Sequence, residues 1–73
     1  MAEQVVKAPM RARVIRYHAQ AGSKVAENQK VCDIEALKME IAVYSPVAGT
    51  IKEIHTEAGA HVDADVPLFT VET

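Results

Sequence analysis

Apolar and polar residues alternate in short runs along this chain, and the apolar positions show no sustained helical period. Turn residues separate the runs at short, regular spacing, which is typical of a β-sandwich or barrel. The pattern therefore predicts an all-β domain without helices. The predicted strands cover residues 13–18, 24–26 and 31–36 in the first half and 50–56, 61–63 and 68–72 in the second, with an opening strand in each half that ends at Pro9 or Pro46.

The second half of the pattern repeats the first at a constant shift of 37 residues. Residues 6–36 align with residues 43–73 without a gap. The identical pairs are Val6/Val43, Pro9/Pro46, His18/His55, Ala21/Ala58, Gly22/Gly59, Val25/Val62 and Glu35/Glu72. Because the matches fall on turn residues and apolar residues alike, we expect two copies of one structural unit, related by a pseudo-twofold axis and sharing one aliphatic core.

Residues 37–42 connect the two copies and predict a hairpin. With a two-residue turn at positions 37 and 38, residues whose numbers sum to 75 lie opposite each other, and a shift of one residue would mix the two faces. The apolar stripe that results pairs Ala36 with Met39, Ile34 with Ile41 and Cys32 with Val43. By the same repeat, we expect both chain ends to lie together at the pole opposite the hairpin.

This hairpin breaks two local rules. Two-residue turns favour Asn-Gly or Asp-Gly because both positions need positive φ, whereas this turn is Leu37-Lys38. Glu35 and Glu40 are like charges placed directly opposite each other, a mildly destabilising pair. Violations of this kind collect at functional sites. They single out Lys38, which we expect at the apex of the turn and exposed to solvent.

The composition of the chain argues against several classes of function. A chain of 73 residues is too short to enclose a deep substrate cavity. Its one cysteine, Cys32, excludes an internal disulfide and fits both a buried apolar position and a reducing, intracellular compartment. We expect the protein in the cytoplasm. The net charge of −2 and the shortage of aromatic residues argue against nucleic-acid binding. No apolar run approaches the roughly 18 residues of a membrane span, so we expect no direct membrane insertion.

Few other side chains are candidates for partner binding, catalysis or metal binding. Arg11, Arg13 and Arg16 form the only basic cluster, which we interpret first as a solvated strand face and second as a docking patch for a partner protein. His18 and His55 hold equivalent positions in the repeat, which indicates a shared structural role. No histidine or cysteine spacing is typical of a metal site, so none is predicted.

Residues 35–40 read EALKME, which resembles the attachment hairpin of the biotinyl and lipoyl carrier family. In that family the biotinylated lysine typically stands in Ala-Met-Lys-Met, and lipoylated lysines more often stand in Asp-Lys-Ala. Leu37 here replaces the usual methionine, and Met39 matches. The resemblance covers essentially the whole chain. It runs from VKAPM at residues 6–10 through AGSKV at 21–25 to Ala-Gly at 58–59 and Leu-Phe at 68–69.

The resemblance implies a fold and an attachment site. The fold would be a flattened barrel of two four-stranded antiparallel sheets with pseudo-twofold symmetry, also called a barrel-sandwich hybrid. Residues 1–73 would form a single carrier domain, made of half-repeats 6–36 and 43–73 and an attachment hairpin at 37–42. A biotin protein ligase would join biotin to Nζ of Lys38. The residues that the ligase would read are Glu35, Ala36, Leu37, Met39 and Glu40.

The resemblance also implies a role without catalysis by the domain itself. Biotin on Lys38 would carry a carboxyl group between a biotin carboxylase and a carboxyltransferase, within a biotin-dependent carboxylase or decarboxylase. One alternative is a lipoyl carrier domain with lipoate on Lys38. A further alternative is a small interaction module in which Lys38 is not modified. Met39 is part of the apolar stripe, so we expect its side chain both to pack within the domain and to be recognised by the ligase.

Overall fold

The computed structural model describes residues 2–73 and shows an all-β chain, as the pattern predicts. Its eight strands are β1 Glu3–Lys7, β2 Ala12–Tyr17, β3 Lys24–Val25, β4 Lys30–Ala36, β5 Met39–Tyr44, β6 Gly49–Ile54, β7 His61–Val62 and β8 Pro67–Glu72. Within this part of the chain no helix is long and apolar enough to cross a membrane.

The strands form two four-stranded antiparallel sheets. One sheet has the order β1-β8-β6-β3 and the other β5-β4-β2-β7. Each strand of one sheet has a counterpart in the other sheet whose number differs by four, and β2 and β6 are offset by the same 37 residues as the sequence repeat. The expected fold of two sheets related by a pseudo-twofold axis is thus confirmed.

A single aliphatic core lies between the sheets. Its largest fully buried side chains are Phe69, Ile34, Ile51, Leu68, Val14, Val31, Val71 and Cys32. Phe69 is the one aromatic ring among them, and its counterpart in the repeat is the much smaller Cys32. The two copies therefore fill equivalent positions with different volumes, as close packing of a shared core requires.

The turns follow the same symmetry down to single hydrogen bonds. Asn28 and Asp65 adopt left-handed φ values of 66° and 70°. The amide of Asn28 donates to the carbonyl of Ser45 at 2.8 Å, and the amide of Asp65 donates to the carbonyl of Ala8 at 2.9 Å. These two residue types tolerate left-handed backbone better than most, so each copy meets the same conformational demand in the same way.

The opening strands end earlier than the sequence predicts. They stop at Lys7 and Tyr44 and do not reach the two prolines. The next residues leave the ladder because their amides close loops: Ala8 donates to Val66 and Ser45 donates to Gln29, both at 2.9 Å. The other predicted strands are displaced at their ends by only one or two residues.

The described chain ends meet at one edge of the first sheet. β1 pairs with β8 through Glu3 and Glu72, and the Thr73 amide donates to the Ala2 carbonyl at 2.9 Å. The ends occupy, in their sheet, the place that the β4–β5 hairpin occupies in the other. The expectation that the ends lie together is confirmed as far as Ala2, and Met1 lies outside the described residues.

Candidate functional site

The β4–β5 hairpin has the predicted register. The paired residues are Ala36/Met39, Glu35/Glu40, Ile34/Ile41, Asp33/Ala42 and Cys32/Val43, all of which sum to 75. Leu37 and Lys38 therefore form a two-residue turn at the tip.

Both turn residues adopt left-handed backbone. Leu37 has φ of 52° and Lys38 has φ of 63°, the combination that a type I′ turn requires. Left-handed backbone costs a residue with a side chain about 1–2 kcal/mol. Such a conformation persists only where surrounding structure enforces it, and here the β4–β5 ladder does so.

The tip of the hairpin is open to solvent. Lys38 is exposed, Leu37 is 88% exposed and Met39 is 65% exposed. The packing role expected of Met39 is therefore wrong. β5 is an edge strand, and at its tip no further strand covers the Met39 side chain. Only Ala36, 5% exposed, continues the core at this level.

A shallow groove of about 380 Å³ runs beside the turn. It is lined by Arg11, Ala12, Arg13, Glu35, Ala36, Leu37, Lys38 and His61. Because the groove is open, it can receive a partner surface but cannot enclose a substrate.

A β-bulge arranges the charges behind the turn. The β2–β4 register shifts between Val14 and Arg16, so Arg13 lies opposite Glu35 while Arg16 lies opposite Asp33. Without the extra residue in β2, side chains three positions apart would point to opposite faces of the sheet. The bulge thus brings both arginines to the outer face of this sheet, beside the acidic residues of the hairpin.

These arginines offset the like charges of the hairpin. Arg13 Nη2 lies 3.3 Å from Glu35 Oε1, and Arg16 Nη1 lies 3.0 Å from Glu40 Oε1. The opposed Glu35 and Glu40 side chains are therefore compensated, and the pair is not the unrelieved repulsion that the sequence suggested. Arg13 and Arg16 lie on a partly solvated strand face, as first interpreted, but their guanidinium groups are engaged within the domain.

Asp33 lies beneath this charged row and is buried. Arg16 Nη1 contacts its Oδ2 at 2.5 Å, and His18 Nε2 contacts the same oxygen at 2.9 Å. Burial by itself raises the pKa of Asp33, but hydrogen bonds from His18 and Arg16 outweigh it and lower the pKa below the usual value. The sequence analysis did not identify this residue.

The histidines hold equivalent structural places, as expected. His55 Nε2 lies 2.7 Å from Thr70 Oγ1, and Thr70 is the counterpart of Asp33 in the repeat. Cys32 is fully buried, and burial together with the nearby Asp33 charge raises the pKa of its thiol to about 11. The thiol is therefore protonated at neutral pH and acts as an apolar core group. Among residues 2–73 no cluster of three or more side chains could hold a metal ion.

Lys38 is the side chain at this site that fits a covalently bound acid. Its amine stands at the end of a flexible, unbranched stem at the exposed tip, and none of the ion pairs among the described residues involves it. An amine in this setting can form an amide with a carboxylic acid such as biotin, and the open surroundings leave room for an enzyme that makes the bond.

Sequence comparisons agree with this geometry. The family model described as "Biotin-requiring enzyme" matches residues 4–71. Mitochondrial pyruvate carboxylase of Mus musculus is 37% identical over 67 residues, which are 92% of this chain and 6% of the relative. The biotin carboxyl carrier protein of Streptococcus mutans is 34% identical over 70 residues, 96% of this chain and 54% of the relative. The chain thus spans about half of the carrier protein and a small part of the carboxylase.

Solved structures share the fold. The urea carboxylase of Kluyveromyces lactis matches with a TM-score of 0.91 and 22% identity, over 99% of this chain and 6% of that one. The lipoyl domain of the 2-oxoglutarate dehydrogenase complex from Azotobacter vinelandii matches with a TM-score of 0.83 and 25% identity, over 94% and 95% of the two chains. The chain belongs to the biotinyl/lipoyl family of biotin-requiring enzymes, as a biotin carboxyl carrier domain related to those of carboxylases.

Proposed function

We propose that Lys38 is the residue that carries biotin, joined through Nζ in an amide bond made by a biotin protein ligase. One observation supports this choice above others: Lys38 is the lysine at the tip of the hairpin that joins the two copies, exposed and held by a left-handed turn. The other four lysines of the chain lie in strands of the duplicated scaffold.

The surroundings of Lys38 divide the proposed ligase-recognition residues into three groups. Leu37 and Met39 present exposed apolar side chains on either side of the lysine and are the strongest candidates for direct contact. Ala36 is buried and closes the core beneath the turn. Glu35 and Glu40 remain partly exposed, but each is held in an ion pair with an arginine of the domain.

The domain then acts by presentation. The bound biotin supplies the ring that takes up and releases a carboxyl group. The flexible lysine stem on a rigid hairpin lets one carrier reach two sites, a biotin carboxylase and a carboxyltransferase, at high effective concentration. The partner enzymes supply catalysis in this proposal, and the carrier supplies none. The whole assembly would be a biotin-dependent carboxylase or decarboxylase in the cytoplasm.

The test is the intact mass of the purified chain after incubation with a biotin protein ligase, ATP and biotin. We expect the wild type to gain one biotin less one water, Lys38→Arg to gain nothing, and Lys24→Arg, a matched change of an exposed lysine, to behave like the wild type. Modification of the Lys38→Arg variant would overturn the assignment of the site.

A lipoyl carrier is the second candidate, because the fold also matches a lipoyl domain over nearly its full length. Parallel reactions with a lipoate ligase, ATP and lipoate distinguish the two. Faster lipoylation than biotinylation of Lys38 would select the lipoyl carrier. No modification by either enzyme would select an unmodified interaction module.

A further inference from the structure

We propose that Arg16 is a positioning residue for the Lys38 turn: it joins the edge strand of the hairpin to the strand two places away. The inference rests on the proposed function of Lys38 as the biotin acceptor. Arg16 lies on β2, and its Nη1 contacts Asp33 of β4 and Glu40 of β5. One guanidinium therefore fixes three neighbouring strands. We name the Asp33–Arg16–Glu40 contact set the three-strand tie.

The tie acts at the weakest part of the hairpin. β5 is an edge strand that pairs only with β4, and Glu40 lies two residues after Lys38. The turn between the strands holds two residues in left-handed backbone, which favours opening or rearrangement of the tip. A charged contact from β2 to β5 opposes that rearrangement because it holds Glu40 in register beside β4.

Burial of Asp33 makes the tie rigid. The Asp33 side chain is 8% exposed, and its Oδ2 accepts from both Arg16 and His18. An acceptor that is buried and doubly bonded leaves the Arg16 guanidinium few alternative positions. Arg16 is therefore anchored at the buried Asp33, and from there it contacts Glu40, whose side chain is 59% exposed.

The opposite pole contains a matched control. There Lys52 of β6 contacts Glu3 of the edge strand β1 and lies 3.9 Å from Glu72 of β8. Glu3 is the counterpart of Glu40 in the repeat, yet among the described residues of this pole no two-residue turn presents a lysine. Both poles therefore hold an edge-strand glutamate from two strands away, but at the hairpin pole that glutamate lies two residues from the proposed biotin acceptor.

The test compares Arg16→Gln, Arg16→Lys and Lys52→Gln with the wild type in two measurements. The first is kcat/KM for biotin transfer to the chain. The second is amide hydrogen exchange at Met39 and Ile41, whose amides face β4 in the antiparallel ladder, in the free protein, followed by NMR. We expect Arg16→Gln to speed exchange at the two amides about tenfold, because exchange follows the open population of the turn, and to lower kcat/KM by the factor by which the ordered population falls.

The other variants show whether the effect is local. Arg16→Lys keeps a cation and should recover part of both losses, and Lys52→Gln should leave both measurements at the tip unchanged. A fall in kcat/KM with unchanged exchange would assign Arg16 to direct ligase contact and overturn the proposal. Equal effects of Arg16→Gln and Lys52→Gln would reduce the tie to general stability and overturn it as well.

Failure of the proposed function gives a different result. If the wild type accepts no biotin, Lys38 is not the acceptor, whatever the variants do. The exchange comparison still decides whether Arg16 orders the turn: faster exchange in Arg16→Gln alone supports the tie, and unchanged exchange refutes it.

Discussion

The two poles of this domain are built alike and serve different ends. At one pole β4 and β5 meet in a left-handed turn that carries Lys38, and at the other β8 and β1 bring the chain ends together in the same register. Loop hydrogen bonds repeat from one copy to the other, as when Gly22 donates to Ile51 and Gly59 donates to Val14. The two poles differ in the left-handed turn, which lies at the hairpin pole, and in Asp33, the buried acid behind that turn. The duplicated part is therefore scaffold, and the proposed function lies where the copies diverge.

The largest expected difference between the copies lies in the core. Phe69→Ala should destabilise the domain by about 3–5 kcal/mol because it leaves a cavity between the sheets. Cys32→Ala, at the equivalent position, removes only a sulfur atom and should cost about 1 kcal/mol. Urea unfolding followed by circular dichroism measures both. Equal losses would show that the two positions do not divide the core volume as the structure indicates.

A close backbone approach gives the next largest difference. A Cβ on Gly49 would lie 2.4 Å from the carbonyl oxygen of Glu72, so Gly49→Ala must move β6 away from β8 and should cost about 1–3 kcal/mol. The counterpart position already holds Ala12, and Ala12→Gly should cost about 1 kcal/mol from added freedom of the unfolded chain. Thermal unfolding of the pair checks the order. A Gly49→Ala domain as stable as the wild type would contradict the close approach.

Acid should weaken the hairpin pole more than the other pole. The pKa of Asp33 is lowered in the folded state, so the unfolded chain binds the proton more readily. The stability that Asp33 contributes is present above its ordinary pKa of about 4 and is lost as pH falls through the folded value. As pH falls from about 5 to about 2, the wild type should therefore lose more stability than Asp33→Asn does. Parallel pH profiles of the two proteins would exclude this role.

The smallest expected effect has the opposite sign. Leu37→Asn places a residue that tolerates left-handed backbone at φ of 52° and should stabilise the domain by about 0.5 kcal/mol. It should also slow biotin transfer, because the exposed leucine is proposed to contact the ligase. The matched change Asn28→Leu, at φ of 66°, should instead destabilise the domain. Slower transfer without any gain in stability would show that Leu37 contributes to recognition by the ligase and that its backbone is not a source of strain.

Much of this architecture could be predicted from the sequence. Side chains alternate along a strand with a period of two, so one correct pair such as Ile34 and Ile41 fixes the register of the whole hairpin. The sequence repeat then predicts the same register for the strand pair at the other pole. The β2–β4 register could not be obtained in this way because the bulge between Val14 and Arg16 changes the parity. For that reason the arginines were left without partners, and the burial of Asp33 was missed.

The exposure of Met39 was misjudged for a related reason. A stripe of alternating residues indicates which face a side chain occupies, but it does not show where the core ends along the strand. The core stops at Ala36, one step before the turn. Met39 pairs with Ala36 on the edge strand and remains exposed, and this exposure would let it take part in the proposed recognition.

The central claim is that the turn presents a lysine at one position and in one direction. The most direct measurement is site mapping by tandem mass spectrometry after biotin transfer, on the wild type and on a variant that combines Leu37→Lys with Lys38→Leu. The composition and length of the hairpin are the same in both proteins, and only the place of the amine in the turn differs. We predict biotin on Lys38 alone in the wild type and none on the variant. Biotin on another lysine of the wild type, or equal labelling of the variant, would contradict the account.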